Sequence, residues 1–466
     1  MTKFHQRYLE LPRVFYTQAQ PQRVTNPKLV LYNNTLAQTI NWDSKDKLSI
    51  LSGNQALLDS KPLALAYGGH QYGRYTMLGD GRAHLLATLS GKHTVDIQLK
   101  GSGPTVYSRG GDGLAALQPM LREYIISEAM HALGVATTRS LAVVKTDTPI
   151  QRDTDDHAAV LTRLATSHIR FGTFEYASRL EDTAHLAQLL NYVIKHHYPE
   201  LTTKANKAQA LLECISDKLV DLIVAWMRIG FIHGVMNTDN MSIVGETIDY
   251  GPCAFMDNYH PATVYSYIDK YGRYAFANQP AIAQWNITCL ANALTSLLDK
   301  DEQKAQRAVK TISERFKTKF ITKYQCMVCN KLGFDTYTQE NGQYVKTLLS
   351  WMQNNKADYT NTFKILSYAE DIKQHPQYDK ALAKWYDSWQ QAIDKQSSYP
   401  LMQQTNPVVI PRNHHVQQAL QASTTGNYTA TNNLLKAICK PYTDTYSDYQ
   451  EPPAEHEKVH FTYCGT

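Results

Sequence analysis

Residues 230–257 read GFIHGVMNTDNMSIVGETIDYGPCAFMD. Two side chains in this stretch, Asn240 and Asp249, offer oxygen atoms that suit a divalent cation, and Asp239 adjoins the first of them. A hard cation such as Mg²⁺ takes oxygen ligands and keeps several waters, so an amide oxygen and a carboxylate complete a site once phosphate oxygens join them. His233 opens the loop, Val235 follows, and Asp249 begins an Asp-Tyr-Gly triplet. The apolar Val235 can neither orient a hydroxyl nor accept its proton. Asp239 is the only carboxylate between His233 and Asn240, which makes it the candidate general base. Capping a helix, or standing behind the metal ligands, are open alternatives for the same residue.

Kinases carry these parts in the same order: a His-x-Asp loop, an Asn five residues after that Asp, and an Asp-Phe-Gly metal site further on. The chain resembles that pattern at His233, Asn240 and 249–251, with Val235 where the catalytic Asp would stand. Ordinary phosphoryl transfer loses its base while the metal ligands survive. His233 itself is expected to orient the loop rather than to react.

Around this loop the periodicity of the chain changes. Residues 94–100, TVDIQLK, alternate Val95, Ile97 and Leu99 with Asp96, Gln98 and Lys100, which predicts a half-buried strand. Segments 140–146 and 158–164 are β-rich in the same way. Between the 94–100 run and these segments, LQPMLREYIISEAMHALG predicts one helix: Pro119 suits a first turn, Met120, Leu121, Tyr124, Ile125 and Met130 form its apolar face, and Gly134 stops it. From about residue 175 the period becomes 3.6, with stripes at Leu186, Leu189, Leu190, Val193 and at Leu212, Ile215, Leu219, Ile223, Met227. Helical patterns recur at 281–298, 302–332, 342–356 and 376–395. The prolines of 396–413 predict an irregular surface crossing, and 440–466 reads as an extended tail. The expected fold is α+β, protein-kinase-like and bilobal: a β-rich N-lobe over 1–172 with one key helix, a helical C-lobe over 173–330, a helical extension over 331–439, and the tail.

Lys100 at the end of a strand and Glu123 on the following helix reproduce the ion pair with which kinases hold ATP phosphates. Glycine-rich segments flank that strand: Gly79, Gly81 and Arg82 before it, Asp112 and Gly113 after it. Glycine lets backbone N–H groups approach phosphate oxygens. Neither segment matches the kinase glycine loop or a Walker A motif, so conventional phosphate placement is not expected. Arg163 and Arg170 present planar forks that hold phosphate oxygens in pairs. A surface lysine, plain turns and solvated arginines are the bland readings of the same residues.

Bulk composition narrows the classes. A chain of 466 residues exceeds one hydrophobic core. The net charge of +5 is mild and no basic run marks a nucleic-acid partner. No apolar run reaches bilayer length, and the N-terminus lacks a signal-peptide core, so a cytoplasmic protein without a membrane partner is expected. Seven scattered cysteines are not a disulfide framework. Cys326-x-x-Cys329 has no second pair at zinc-finger spacing and reads as incidental thiols.

In order along the chain stand LPRVFYT (11–17), YGGHQYG (67–73), LGDGRA (78–83), DIQLKGSGPT (96–105), YSRGGDG (107–113), REYIISEAMHALG (122–134), RFGTFEY (170–176), HGVMNTDNMSI (233–243), TIDYGP (247–252) and NQPAIAQWN (278–286). This set resembles the selenoprotein O family of pseudokinase-fold protein adenylyltransferases. The resemblance implies transfer of AMP from ATP, and of UMP from UTP, to Ser, Thr or Tyr hydroxyls of protein substrates, with diphosphate leaving and Mg²⁺ or Mn²⁺ as cofactor. ATP would sit inverted relative to kinases. By matching motif, Gly79, Gly81, Arg82, Lys100, Glu123, Asp112 and Gly113 would form the nucleotide site, and Arg163 and Arg170 would hold the far phosphates. Asp239 would accept the proton, and Asn240 with Asp249 would bind the metal. The resemblance also implies redox control through a tail thiol, here Cys464, with Cys253 as its nearest candidate partner. An atypical kinase-like phosphotransferase and a silent ATP-binding scaffold are the competing expectations.

Overall fold

The period-two runs pair into one antiparallel sheet. Its strands are β1 (Lys3–His5), β2 (Tyr16–Gln18), β3 (Lys28–Tyr32), β4 (Leu63–Leu65), β7 (Ala83–Ser90), β8 (Val95–Lys100), β9 (Arg139–Gln151) and β10 (Asp155–Ala165); β5 (Gly68–Gln71) and β6 (Arg74–Met77) form a separate hairpin. The sheet order is β2-β4-β7-β8-β10-β9-β3, with β1 also paired to β7. This computed structural model describes residues 3–42, 45–57, 60–91, 94–152, 155–368 and 372–463.

Strand β8 departs from expectation in an informative way, because both of its faces are buried. Ile97 and Leu99 join Leu86, Leu141, Val144 and Val160 in a core on one side. Asp96, Gln98 and Lys100 are buried as well, since each has a partner: Asp96 accepts from Arg7 Nε at 3.1 Å, Gln98 Oε1 from Arg163 Nη2 at 2.6 Å, and Lys100 pairs with Glu123 at 2.6 Å. On this polar face Lys100 lines a cleft, while Asp96 and Gln98 are covered by the side chains they bond. Buried polar groups persist only when their hydrogen bonds are made.

The helix predicted after β8 spans Leu117–Ala132, with Pro119 in its first turn and Gly134 at φ 75° beyond its end. It buries Met120, Leu121, Tyr124, Ile125 and Met130 against β9 and β10. The long-period stripes fold as helices Ala184–His197, Lys207–Arg228, Gln279–Ala293, Glu302–Asn330, Gln339–Asn355 and Lys380–Ala392. The chain is therefore mixed α/β around an antiparallel sheet. Among the described residues no helix is long and apolar enough to cross a membrane.

Two expectations need correction. Segment 396–413 does not cross the surface: Lys395–Thr405 is a helix that contains Pro400, and Asn406, Val408, Val409, Ile410 and Arg412 behind it are buried. Asp394 caps the helix by accepting from Gln396 N, and Ser398 Oγ donates to Gly333 O at 2.7 Å. Packing and capping outweigh the hydrogen bond that Pro400 removes. Among the described residues after 440 there is no strand or α-helix, yet the stretch is tied down: Gln450 O accepts from buried Arg412, and Thr462 N bonds Tyr265 O.

Candidate active site

Between the sheet and the helices lies a cavity of about 650 Å³. Gly79, Gly81, Arg82, Lys100, Asp112, Gly113, Glu123, Arg163, Arg170, Asp239, Asn240 and Asp249 all line it. The twelve residues expected to hold the nucleotide, the proton and the metal thus line one cavity. Val235 lines it too, in the position where a catalytic carboxylate was missing.

The centre of the cavity is a charge cluster around Asp249. Lys100 Nζ lies 2.8 Å from Asp249 Oδ1, Arg163 Nη1 lies 2.6 Å from the same oxygen, and Arg170 Nη1 bonds Oδ2. Glu123 balances two of these cations, Lys100 at 2.6 Å and Arg163 at 3.3 Å. Strand register explains the convergence: Arg163 of β10 stands opposite Gln98 of β8, and Gln98 and Lys100 share a face because side chains alternate. Burial pushes the Asp249 carboxyl up, but Arg170, Lys100 and Arg163 outweigh it and hold the group well below the usual carboxylate range. Three cations against two carboxylates leave an excess of positive charge, which suits a polyphosphate.

Asp239 behaves differently. It is buried, and that burial, only partly opposed by Arg170, raises its carboxyl to about 6. A carboxylate with a raised proton affinity is a competent base near neutrality. Its Oδ1 is buried with no hydrogen-bond partner among the described residues. Asn240 donates its amide nitrogen to Val235 O at 3.0 Å, which leaves its oxygen as a ligand atom. The amide oxygen of Asn240 and the carboxylate of Asp249 are hard oxygen donors of the kind a divalent cation takes, and the unpartnered Asp239 oxygen belongs to the same cavity. Asp249 holds a left-handed backbone, φ 62°, a region few side chains other than Asn and Asp enter.

Some residues of the site escaped the sequence reading. The β5–β6 hairpin leans on the 233–240 loop: His70 N donates to Thr238 Oγ1 at 2.7 Å and Tyr72 N to Asn237 Oδ1 at 3.1 Å. A Cβ at Gly69 would meet Asp239 Oδ1 at 2.7 Å, and one at Gly172 would meet Gly68 O at 1.9 Å, so both positions require glycine for close approach. Arg122 joins the helix to the loop that follows Asp249, donating to Gly251 O at 3.2 Å and to Cys253 O. Tyr67 lies under Arg170, 4.8 Å from its guanidinium carbon. The motif YGGHQYG carried a signal in its paired glycines, but nothing local says which loop they face.

Expectations outside the cavity fared variously. His233 is buried and contacts Ile248 O at 3.0 Å and Val235 N at 3.4 Å, the loop-orienting geometry. Cys326 and Cys329 lie in helix Glu302–Asn330, apart from the His/Cys/Asp/Glu cluster found among the described residues. Cys253 is buried, and Thr462 Oγ1 donates to the adjacent Pro252 O at 2.6 Å. Cys464 lies outside the described residues, and its pairing with Cys253 lies there too.

A family model described as protein adenylyltransferase SelO matches residues 1–439. The chain belongs to the SelO family. Curated relatives agree along the whole length. The protein nucleotidyltransferase YdiU of Nitrosococcus oceani is 48% identical over 480 residues, covering 99% of this chain and 97% of its own. That of Alcanivorax borkumensis is 47% identical over 478 residues, covering 100% and 99%, and that of Bacillus thuringiensis is 46% identical, covering 98% and 97%. Each SelO-family motif named above falls within this matched span.

Proposed function

We propose that this chain is a metal-dependent protein adenylyltransferase that moves AMP from ATP to Ser, Thr or Tyr hydroxyls of proteins, with UTP as a second donor for UMP. Family membership and the names of the relatives support nucleotidyl transfer to protein. The observation that carries the chemistry is a cationic cluster around Asp249 beside a buried Asp239, with Val235 where a phosphotransferase needs its base. We read the architecture as a kinase-like bilobal fold, with lobes at 1–172 and 173–330, a helical extension over 331–439 and a tail over 440–466.

In this reading Lys100, steered by Glu123, and Arg163 and Arg170 grip the triphosphate, while Gly79, Gly81, Arg82, Asp112 and Gly113 border the nucleotide. Asn240 and Asp249 hold Mg²⁺ or Mn²⁺, which when bound neutralises phosphate charge and fixes phosphate orientation. Asp239 takes the proton of the acceptor hydroxyl. The hydroxyl oxygen forms a bond to the α-phosphorus, the bond from that phosphorus to its bridging oxygen breaks, and diphosphate leaves with the electron pair. Arg163 and Arg170 stabilise the charge that develops on the leaving group. The asymmetry between a strongly acidic Asp249 and a proton-seeking Asp239 supports this division of labour.

Labelled ATP tests the proposal. Label on the α-phosphate should appear in protein, and label on the γ-phosphate should not. Protein labelled from the γ-position would make the chain a phosphotransferase, and no labelling from either would make it a scaffold.

A further inference from the structure

We propose that Glu175 is a positioning residue that sets Asp239 for proton transfer, acting through Thr238 and the His70 strand; the role rests on the function proposed above. Glu175 lies in helix Phe171–Ala177 and is 1% exposed. One carboxylate oxygen bonds His70 Nδ1 and the other accepts from Thr238 Oγ1. Thr238 Oγ1 in turn accepts from His70 N at 2.7 Å. A hydroxyl carries one proton, so the Thr238 oxygen is fixed as donor to Glu175 and acceptor from the hairpin. The next residue is Asp239.

The Asp239 Oδ1 lacks a hydrogen-bond partner among the described residues, and the side-chain bond its carboxyl does have comes from Gln71, at the end of the β5 strand. Its aim therefore depends on that strand and on the backbone on either side. Arg170 Nη1 holds the Asp239 carbonyl at 2.6 Å, and the Glu175–Thr238 bond holds the preceding residue. The same carboxylate ties down His70 and with it the Gly68–Gln71 strand, whose Gly69 abuts Asp239. Three segments distant in sequence therefore meet on one buried acid.

A metal site is the rival reading, because His70, Glu175 and Cys289 offer ligand atoms within 4.8 Å of one another. Both Glu175 oxygens are already engaged by His70 and Thr238. Burial, with the charge of Glu175, pushes the Cys289 thiol up to about 12, and a protonated thiol is a poor ligand.

The test uses the full chain, casein as acceptor and ATP labelled on the α-phosphate. Glu175→Gln keeps the shape but cannot accept from both partners. A misplacement on the order of 1 Å costs about 100-fold. We therefore expect kcat to fall by about 10- to 100-fold, the ATP KM to stay within about twofold, and the melting temperature to move by only a few degrees. Thr238→Val should lose as much, Thr238→Ser should recover it, and the double variant Glu175→Gln/Thr238→Val should be no worse than either single. An unimpaired Glu175→Gln enzyme, losses that multiply in the double variant, or Thr238→Ser as poor as Thr238→Val would each overturn the role. So would stoichiometric zinc in the parent protein that Glu175→Gln removes. If the parent itself transfers no label, the adenylyltransferase reading falls first; a working parent with a working Glu175→Gln leaves that reading standing and removes only the positioning role.

Discussion

Asp249 carries three cations on one side chain that keeps 21% of its surface exposed. Removing its charge has two effects with one cause. Arg170 loses its carboxylate partner, whereas Lys100 and Arg163 keep Glu123. Breaking a fully buried pair costs about 3–5 kcal/mol, and the partial exposure and the remaining Glu123 reduce this. Asp249→Asn should therefore lower stability by about 1–3 kcal/mol in urea unfolding and reduce AMP transfer at least about 100-fold. Tripolyphosphate should raise the melting temperature of the variant more than that of the parent, because the uncovered cations then find anionic partners. Equal stabilisation of both would show that the three cations do not act on phosphate.

Elements bring these residues together, and they also bury histidines that tune stability. His84 on β7 is fully buried, and burial lowers its imidazole to about 4. His168, just past β10, is lowered to about 4 mainly by burial, with Arg163 and Arg170 in the same sense and Asp96 opposed. In the unfolded chain an imidazole takes up its proton near 6.5. Above that pH neither state is protonated and no penalty exists; as pH falls from about 6.5 to about 4 the unfolded state gains protons that the folded state refuses. Stability should fall over that window by up to about 3 kcal/mol per histidine. Melting curves between pH 7.5 and pH 4.5 should show the decline, and His84→Gln should flatten it. An identical slope in that variant would exclude His84 as a cause. At this same scale the sequence was most readable. The alternation of 94–100 located a strand and put Gln98 and Lys100 on one face, and the helix after it followed from Pro119, its apolar stripe and Gly134. The contact of the β5–β6 hairpin with Thr238 could not be read, because residues 168 positions apart meet through packing that no local pattern encodes. Nor could the burial of 406–412, where prolines mimic a surface loop while Val408, Val409 and Ile410 fill a core.

Across the whole molecule, the C-terminal third braces the site without entering it. Helices Asn413–Ser423 and Thr429–Ile438 pack on the helix that carries Glu123. Arg412, wholly buried, binds Asp257 at 2.8 Å and Asp358 at 2.9 Å. Burial pushes Asp257 up to about 6 even with Arg412 beside it. Arg412→Met strands the buried Asp358 and the partly buried Asp257, and the expected loss is about 2–4 kcal/mol, below the fully buried case because Asp257 keeps some solvent. Because the groups that the Arg412 side chain bonds, Asp257, Asp358, Asn361 and Gln450, lie outside the cavity lining, transfer measured well below the lowered melting temperature should keep the parental rate. A variant that is stable but slow would mean that the brace sets the site's geometry as well as its endurance.

The left-handed turn at Asp249 has a consequence for how this position tolerates change. A library at 249 scored only for soluble expression should return Asp, Asn and Gly, and should reject valine and isoleucine, whose branched Cβ makes that conformation costly by about 1–2 kcal/mol or more. Alanine scanning there mixes lost charge with distorted main chain, whereas asparagine keeps the bend and isolates the charge.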